Sequence, residues 1–212
     1  MRRLRSFLTR LYVQGWIFRL NQLVGWTWLQ FFRVVYPDLA IGRRPHIWGR
    51  FDVMMFPGSQ IVIGDDLHAV SAPNRSAIAL FSRCRFTTFA GAQIQIGDGV
   101  GLNGTAITSK KRVEIGSHTM IAPNVIIVDS DFHAQWPPDA RFTSSTAKDD
   151  REVVIGKNVW IGMNTIVLKG SRIGDNSIIG AGSLVTGEIP SNVIAGGSPA
   201  KVLRPLGPPE HS

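Results

Sequence analysis

The strongest constraint on the fold of this chain is a period of six residues in its C-terminal third. From Ile155 the sequence reads IGKNVW, IGMNTI, VLKGSR, IGDNSI, IGAGSL and VTGEIP without a gap. The first position of every block is aliphatic and β-branched: Ile155, Ile161, Val167, Ile173, Ile179 and Val185. The fifth position is mostly small: Val159, Thr165, Ser171, Ser177, Ser183 and Ile189.

This period excludes a helix. A step of six residues is about 600° on a helical wheel, so the aliphatic positions would point to three sides of a helix. Six is an even number, so in an extended chain the same positions share one face. The intervening Gly and Asn residues, such as Gly156 and Asn158, suit corners with unusual backbone angles. The pattern predicts an all-β solenoid, in which stacked coils bury the aliphatic positions as columns.

Weaker copies of the same block lie upstream. They are IVIGDD around Ile63, IGDGVG from Ile96, LNGTAI from Leu102, IGSHTM from Ile115 and IAPNVI from Ile121. The register breaks between Ile127 and Ile155, where the sequence is polar and free of repeats. We expect an N-terminal segment over residues 1–50, a solenoid domain over 51–206 with an inserted loop at 129–153, and a tail at 207–212.

These blocks, together with IGDNSIIGAGSLVTGEIPSNVIAGGSPAKVLR, resemble the hexapeptide-repeat acyltransferases. The resemblance covers about residues 60–206 and is closest to the O-acetyltransferase branch, which includes galactoside, maltose and polysaccharide O-acetyltransferases. It implies a left-handed parallel β-helix of triangular section, with three blocks per coil, and a homotrimer. The handedness rests on the resemblance alone, because the general rule for parallel crossovers favours right-handed connections.

The inserted loop contains a candidate general base, His133. Imidazole titrates near neutral pH, so it can take a proton from a sugar hydroxyl that attacks a thioester carbonyl. The resemblance also places the catalytic histidine at the start of such a loop, just after the IAPNV block. Asp129 and Asp131 lie close enough in sequence to orient the ring, although a backbone carbonyl would serve equally well. We take Asp131 as the candidate and note that a solvated loop histidine is the alternative interpretation of His133.

The resemblance implies further site residues. Asn103, seven residues after Ile96, corresponds to an asparagine that positions the acceptor, although a corner Asn with a left-handed backbone is a strong alternative. Acetyl-CoA is expected in a groove between neighbouring subunits, flanked by Trp160, Gly162, Ala181 and Thr186. Lys201 and Arg204 in SPAKVLR would meet its phosphates, unless they are solvated charges. Relatives often carry Lys at the position of Gly187, so these phosphate contacts are expected to be redistributed.

The net charge of +8 is confined to one end of the chain. Residues 1–50 hold nine arginines and one acid, whereas the remaining residues are balanced. From Arg2 to Tyr36 the arginines alternate with large apolar residues, and the longest uncharged run, Leu20 to Phe32, is shorter than the roughly 20 apolar residues of a spanning helix. This composition is typical of a helix on a membrane surface, although packing on the protein or on a partner is the alternative. Pro37 predicts the end of the helix. No nucleic-acid-binding motif accompanies the charge.

The combined expectation is transfer of an acetyl group from acetyl-CoA to a hydroxyl of a sugar or glycan precursor, in surface polysaccharide biosynthesis. We expect a cytoplasmic protein, with residues 1–36 as a candidate peripheral contact with the inner membrane, and no metal. Alternatives are N-acetylation of an aminosugar nucleotide or an antibiotic, a zinc lyase, and a non-catalytic scaffold. A zinc site would need three convergent histidines, but only His118 and His133 lie within the repeats. Cys84, the only cysteine, is expected to be a small buried residue and not a nucleophile.

Overall fold

A long helix precedes the β-structure. The computed structural model describes residues 2–142 and 145–207, and within the helix it describes side chains from Gly15 onward. Helix α1 runs over Arg2–Val35 and ends two residues before Pro37, as expected from the clash between a proline ring and a preceding helical residue. Most of the expected tail, with His211, lies outside the described residues.

The remaining chain winds into three parallel sheets, whose strands we number in chain order. The seven-stranded sheet A contains β1 Leu39–Ile41, β4 Gln60–Ile63, β7 Gln93–Ile96, β10 Arg112–Ile115, β13 Val153–Ile155, β16 Arg172–Ile173 and β19 Glu188–Ile189. The eight-stranded sheet B contains β2 His46–Trp48, β5 His68–Val70, β8 Gly101–Asn103, β11 Met120–Ile121, β14 Trp160–Ile161, β17 Ile178–Ile179, β20 Val193–Gly197 and β21 Ala200–Pro205.

The six-stranded sheet C completes each coil. It contains β3 Asp52–Met55, β6 Arg85–Thr88, β9 Ala106–Ser109, β12 Ile126–Val128, β15 Ile166–Val167 and β18 Leu184–Val185. The chain passes through sheets A, B and C in turn, so each strand pairs with its counterpart in the next coil. Among the described strands only β21 is antiparallel, on the edge of β20. The part of the chain that the structure describes also has short 3-10 helices at Pro73–Arg75 and Pro138–Ala140. The expected left-handed parallel β-helix is confirmed.

The period of six marks the core. All six first positions are buried, and they pair in register from coil to coil, as Ile161 does with Ile179 and Val167 with Val185. The fifth positions are buried as well, and their hydroxyls bond to backbone carbonyls, as Ser177 does with Pro190 O at 2.7 Å. Small polar residues therefore fill the inside of the corners, where their hydroxyls donate to backbone carbonyls and are not left unpaired.

The corners explain the residues between the aliphatic positions. Asn158, Asn164 and Asn176 have φ between 54° and 61°, the left-handed region that Asn tolerates better than other side chains. At Gly162 the requirement is space, because an added Cβ would lie 2.5 Å from the backbone N of Ala181 in the next coil. At these corners Asn accommodates the left-handed backbone conformation, and Gly permits close contact between coils.

The solenoid differs from the expected boundaries in three places. It begins at Leu39 and not at residue 51, because β1 and β2 form a first coil that pairs with β4 and β5. A second insertion, residues 71–84, separates β5 from β6. At the C-terminal end Ile189 follows Val185 after four residues and pairs with Ile173, so it opens the next coil instead of occupying a fifth position.

Helix α1 packs its C-terminal half on the first coil. Leu29 and Phe32 are buried, and the Phe32 ring lies 5.4 Å from that of Phe51. Gly25 lies against the backbone of Ile47, so close that a Cβ there would meet the carbonyl oxygen at 2.3 Å. This packing covers the open end of the β-helix core. The opposite side of the helix exposes a stripe of apolar side chains: Trp16, Leu20, Leu23, Phe31 and Val34.

Candidate active site

The inserted loop of residues 129–152 joins β12 to β13 at the corner between sheets C and A, and a buried carboxylate fixes its first residue. Asp129 is fully buried and accepts three hydrogen bonds: from Lys110 N at 2.7 Å, from Ser109 Oγ at 2.7 Å and from Lys111 N at 2.9 Å. Bonds to an ionised acceptor are about twice as strong as neutral ones. Asp129 therefore ties the start of the loop to the corner of the preceding coil, and it does not orient His133.

The next three residues are held equally well. Ser130 Oγ accepts a hydrogen bond from Phe132 N at 2.9 Å, and Phe132 has φ of 62°, which is costly for an aromatic residue. The Phe132 ring lies 5.9 Å from the ring of Phe89, and the ammonium group of Lys110 lies 5.8 Å from each ring. Residues 129–132 thus form a constrained segment that leads directly to the candidate base.

His133 itself is exposed, and its ring meets Phe142 edge to face with the centroids 5.0 Å apart. Asp131 turns to Lys169 instead, forming an ion pair at 2.6 Å, and accepts a hydrogen bond from Gln135 Nε2 at 2.9 Å. Partial burial would raise the pKa of Asp131, but the bonds from Lys169 and Gln135 outweigh it and hold the pKa below its usual value. The proposed orientation of His133 by Asp131 stays a prediction.

Asn103 lies at a different corner, where sheet B leads into sheet C. Its Nδ2 donates to Ser76 Oγ of the 71–84 insertion at 3.3 Å, while its buried Oδ1 has no hydrogen-bond partner among the described residues. It lines an open groove of about 380 Å³ on the outer face of sheet B, between Trp48, His68, Met120 and Trp160. The Trp48 Nε1 donor is also buried and unpaired within the described residues. The groove is therefore lined by two residues that each keep an unused polar atom just below the surface.

The candidate donor residues are distributed over sheet B and two corners. Trp160, Ile178, Ile194 and Arg204 are cross-strand neighbours on four successive strands, which puts Arg204 about 14 Å from Trp160 at the usual strand spacing. Lys201 lies beside Arg204 on β21, and Gly162 with Ala181 forms the corner at the end of the same sheet. Thr186, by contrast, follows β18 at the corner between sheets C and A.

One chain does not bring all of the candidate residues together. In the described parts of the chain, no contact joins the loop that carries His133 to the corner that carries Asn103, since the two lie at opposite ends of the strands of sheet C. Within one copy of the chain the described residues therefore show no single cluster that contains both His133 and Asn103.

The remaining chemistry-bearing residues play other roles. Cys84 is fully buried, and this burial raises the pKa of its thiol to about 11, so it is not a nucleophile at neutral pH. His118 occupies a corner with φ of 62°. Within residues 2–142 and 145–207, no three His, Cys, Asp or Glu side chains are grouped as metal ligands would be.

The sequence interpretation missed the 71–84 insertion and the groove residues Trp48 and His68. The insertion closes the corner beside Asn103, where Asn124 bonds Phe81 N and Ala79 O at 2.8 and 2.9 Å. The signal was available in part, because the repeat positions Ala69 and Phe86 are separated by a Pro-containing stretch that carries no repeat block. Trp48 gave no signal, since the first coil carries no recognisable block, and the weak block before His68 does not distinguish it from an ordinary surface histidine.

Comparison with known proteins agrees with this architecture. Residues 152–187 match the family model of the bacterial transferase hexapeptide, six repeats. The chain is 41% identical over 122 residues to a galactoside O-acetyltransferase of Lactococcus lactis, which covers 57% of each protein. It is 37% identical over 132 residues to WbbJ of Escherichia coli, a putative lipopolysaccharide biosynthesis O-acetyl transferase, covering 57% of this chain and 64% of that protein.

The chain thus spans little more than half the length of the curated relatives that it matches. Among solved structures, an N-acyltransferase of Bacillus cereus, in complex with dTDP-4-amino-4,6-dideoxyglucose and coenzyme A, aligns with a TM-score of 0.61 at 17% identity, over 83% of this chain and 89% of that one. At this identity the likeness is evidence for the fold alone. Within its described β-helix the chain therefore carries the hexapeptide repeats of the bacterial transferases, and the resemblance indicated by the sequence is confirmed.

Proposed function

We propose that this protein transfers an acetyl group from acetyl-CoA to a hydroxyl of a sugar in a surface-polysaccharide precursor. His133 takes the proton of the hydroxyl as its oxygen attacks the thioester carbonyl, and the coenzyme A thiolate leaves. The observation that carries the proposal is the constrained segment 129–132, which presents an exposed histidine on a hexapeptide β-helix. Relatives named as O-acetyltransferases align with 57% of this chain.

The constraint supports a catalytic role because a base works well only when it is held in position. Fixed orientation can supply a large part of the barrier reduction in group transfer, and proton transfer adds about 10²–10⁴-fold. Holding the loop in this position requires a buried carboxylate at Asp129 and a left-handed backbone at Phe132, and both are energetically costly. A solvated surface loop would need neither, so the arrangement favours a base over a bystander histidine.

The groove on sheet B supports a polar acceptor. Asn103 and Trp48 line the groove, and each has a buried polar atom without a partner among the described residues. A rotation of either side chain would turn Asn103 Oδ1 toward a hydroxyl donor or Trp48 Nε1 toward a ring or hydroxyl oxygen. Trp48 and Trp160 provide flat apolar walls on either side. A sugar offers alternating apolar and hydroxyl-bearing surfaces and matches this lining.

We further propose that the working enzyme is a homotrimer. The supporting observation is that His133 and Asn103 lie at different corners of one β-helix. Packing three triangular columns side by side brings the loop corner of one copy near the groove corner of the next. Acetyl-CoA would then lie along the cleft between copies, near Trp160, with Lys201 and Arg204 available for its phosphates.

We also propose that α1 rests on an anionic membrane surface. Leu20, Leu23 and Val34 are each more than half exposed along one stripe, and the exposed Arg19 lies beside it, whereas Arg33 bonds Ile41 O at 2.8 Å. Burying such a stripe in the headgroup region removes apolar area from water while the arginines meet anionic lipids. No described helix is long and apolar enough to cross a bilayer. Contact in the plane of the surface is therefore the membrane interaction that α1 suits.

The test is an acetyl-transfer assay with purified protein, acetyl-CoA and a panel of sugar acceptors. H133A is expected to lower kcat by about 10²–10⁴-fold while binding of acetyl-CoA is retained. H118N is the matched control, because His118 is an exposed corner histidine whose left-handed backbone Asn tolerates. Equal activity of H133A and H118N would refute the role of His133.

The alternative, N-acetylation of an aminosugar nucleotide, is distinguished by the same panel. The Bacillus cereus N-acyltransferase was solved with an amino sugar nucleotide, but its identity of 17% transfers only the fold. Turnover that requires an amine in the acceptor would favour the alternative. Turnover of hydroxyl-only acceptors would favour O-acetylation.

A further inference from the structure

A second cleft lies between α1 and the outer face of sheet C, away from the candidate active site. Its volume is about 510 Å³. One wall is aromatic and comes from the helix, namely Trp28, Phe31 and Phe32. The other comes from β3 and β6, where Val53 and the half-exposed Met54 are the apolar residues. Phe31 belongs both to this wall and to the exposed stripe of α1, so the cleft opens beside the surface proposed to meet the membrane.

The floor of the cleft is cationic. Arg50 and Arg85 both line it, and both approach Asp52, with N to O distances of 3.1 and 3.5 Å. The Arg50 guanidinium also lies 4.3 Å from the centre of the Trp28 ring. Two guanidinium groups share one carboxylate, so one positive charge remains uncompensated in a recess with apolar walls. The side chains of Arg50 and Arg85 are each about half exposed and can reach a ligand from water.

This combination selects one chemistry. An apolar wall alone would suit any hydrophobic group, and a surface arginine alone any anion. A site with both, opening beside the exposed stripe of a surface helix, fits a molecule that carries an anionic head and apolar chains. Guanidinium groups recognise phosphate through paired hydrogen bonds, and phosphate is the anionic group of membrane lipids.

We propose that this cleft binds the phosphate headgroup of an anionic membrane phospholipid. Arg50 and Arg85 hold the phosphate, while Trp28, Phe31 and Met54 contact the first carbons of the acyl chains. The proposal rests on the membrane contact of α1 proposed above and makes it specific, because it names a site where a headgroup is bound instead of a diffuse attraction.

The test uses the full chain and sedimentation with phosphatidylcholine vesicles, with and without phosphatidylglycerol. The matched pair is R85Q and R83Q: both remove one arginine from the same segment, but only Arg85 lines the cleft. R83Q is expected to weaken binding to the phosphatidylglycerol vesicles by no more than about fivefold, the effect of one charge near an anionic surface. R85Q is expected to weaken it by about tenfold or more, and free inorganic phosphate at the same phosphate concentration should not compete.

Each other outcome has a defined meaning. Equal effects of R85Q and R83Q would overturn the cleft while leaving the surface contact of α1 intact. If free inorganic phosphate competed with the vesicles, the proposal that the cleft binds a lipid would be overturned. A change in oligomeric state for R85Q, without a change in vesicle binding, would assign the cleft to contact between copies. Failure of the wild type to bind either vesicle would overturn the membrane contact itself. Acetyl transfer to a water-soluble acceptor, measured in parallel, tests the proposed reaction independently and should be unchanged in R85Q.

Discussion

The substitution D129N tests whether the start of the active-site loop is fixed as the structure indicates. The Asp129 carboxylate accepts Lys110 N on Oδ1, and Ser109 Oγ with Lys111 N on Oδ2. An amide of the same shape has one oxygen. Suppose that the amide oxygen takes the place of Oδ2 and keeps the bonds from Ser109 Oγ and Lys111 N. The amide NH₂ group then faces the N–H of Lys110, and these two facing donors are left without an acceptor.

The magnitude follows from those three bonds. A buried donor left without an acceptor costs about 1–3 kcal/mol, and each of the two surviving bonds weakens by about 1 kcal/mol when its acceptor loses its charge. Burying an amide costs less than burying a carboxylate, which offsets part of this loss. We expect D129N to lower the free energy of unfolding by about 3 kcal/mol. The loosened segment 129–132 should also lower kcat more than it raises KM for acetyl-CoA, because the base is misplaced while Trp160, Lys201 and Arg204, proposed to contact acetyl-CoA, lie outside the segment.

The assay is urea unfolding followed by far-UV circular dichroism at one protein concentration, with steady-state acetyl transfer on the same preparations. D149N is the matched control, since Asp149 is an exposed aspartate of the same loop. It should unfold within about 0.5 kcal/mol of the wild type, as surface substitutions usually do. If D129N unfolds within about 1 kcal/mol of D149N, or if its loss of activity lies only in KM, the loop is not held by this carboxylate and the positioning argument is wrong.

Three further predictions follow from other contacts. The pKa of Asp131 is held below its usual value, so the ionised side chain stabilises the fold above about pH 4. This stabilisation is lost as the pH falls through the lowered pKa. The difference in urea midpoint between the wild type and D131N should therefore close below pH 4. Cys84 should not react with a thiol reagent at pH 7.5 until urea unfolds the protein, because burial raises its pKa to about 11. G162A should lower the unfolding free energy by about 2 kcal/mol or more, because its Cβ meets the backbone of Ala181, whereas G187A, with open space around it, should stay within about 1 kcal/mol of the wild type.

The sequence predicted the β-helix because its corners and core are each specified by local chemistry. An aliphatic residue at every sixth position and Asn in left-handed conformations at the corners leave few alternatives to short parallel strands. The same reasoning failed for the first coil, since residues 39–48 hold no block and are ordered by pairing with β4 and β5 and by the helix above them. It also failed at Ile189, where a shortened corner moves an apolar residue from one sheet to the next without changing the pattern of polar and apolar residues.

The candidate site could be predicted in part. His133 was identified because a loop interrupts a strict repeat, a signal visible in one chain. The role of Asp129 was not predictable, because a carboxylate two residues from Asp131 is equally able to face the base or the preceding coil. The register of coil stacking, which puts the backbone of Lys110 beside Asp129, decides between them. The separation of His133 from Asn103 also depends on which corner each block occupies, and that is set by the whole fold.

The proposed functional regions follow one another along the axis of the β-helix. The helix stripe and the Arg50–Arg85 cleft lie on the first two coils, the loop of His133 follows the fourth, and Arg204 lies on the last strand. Sheet C carries both the cleft, on β3 and β6, and the start of the loop, at the end of β12. Three strand spacings separate β3 from β12, about 14 Å. A headgroup held in the cleft at β3 would therefore lie about this far along the axis from the start of the loop that carries the base. An acceptor attached to a membrane lipid would then be modified at a sugar farther along the glycan and not at the sugar next to its phosphate. For an acceptor free in solution this spacing would have no effect.

The test compares the acetylation of lipid-linked glycans of increasing length on vesicles. The rate of acetylation should rise once the glycan spans this distance. A rate independent of glycan length would show that the axial order has no bearing on the reaction.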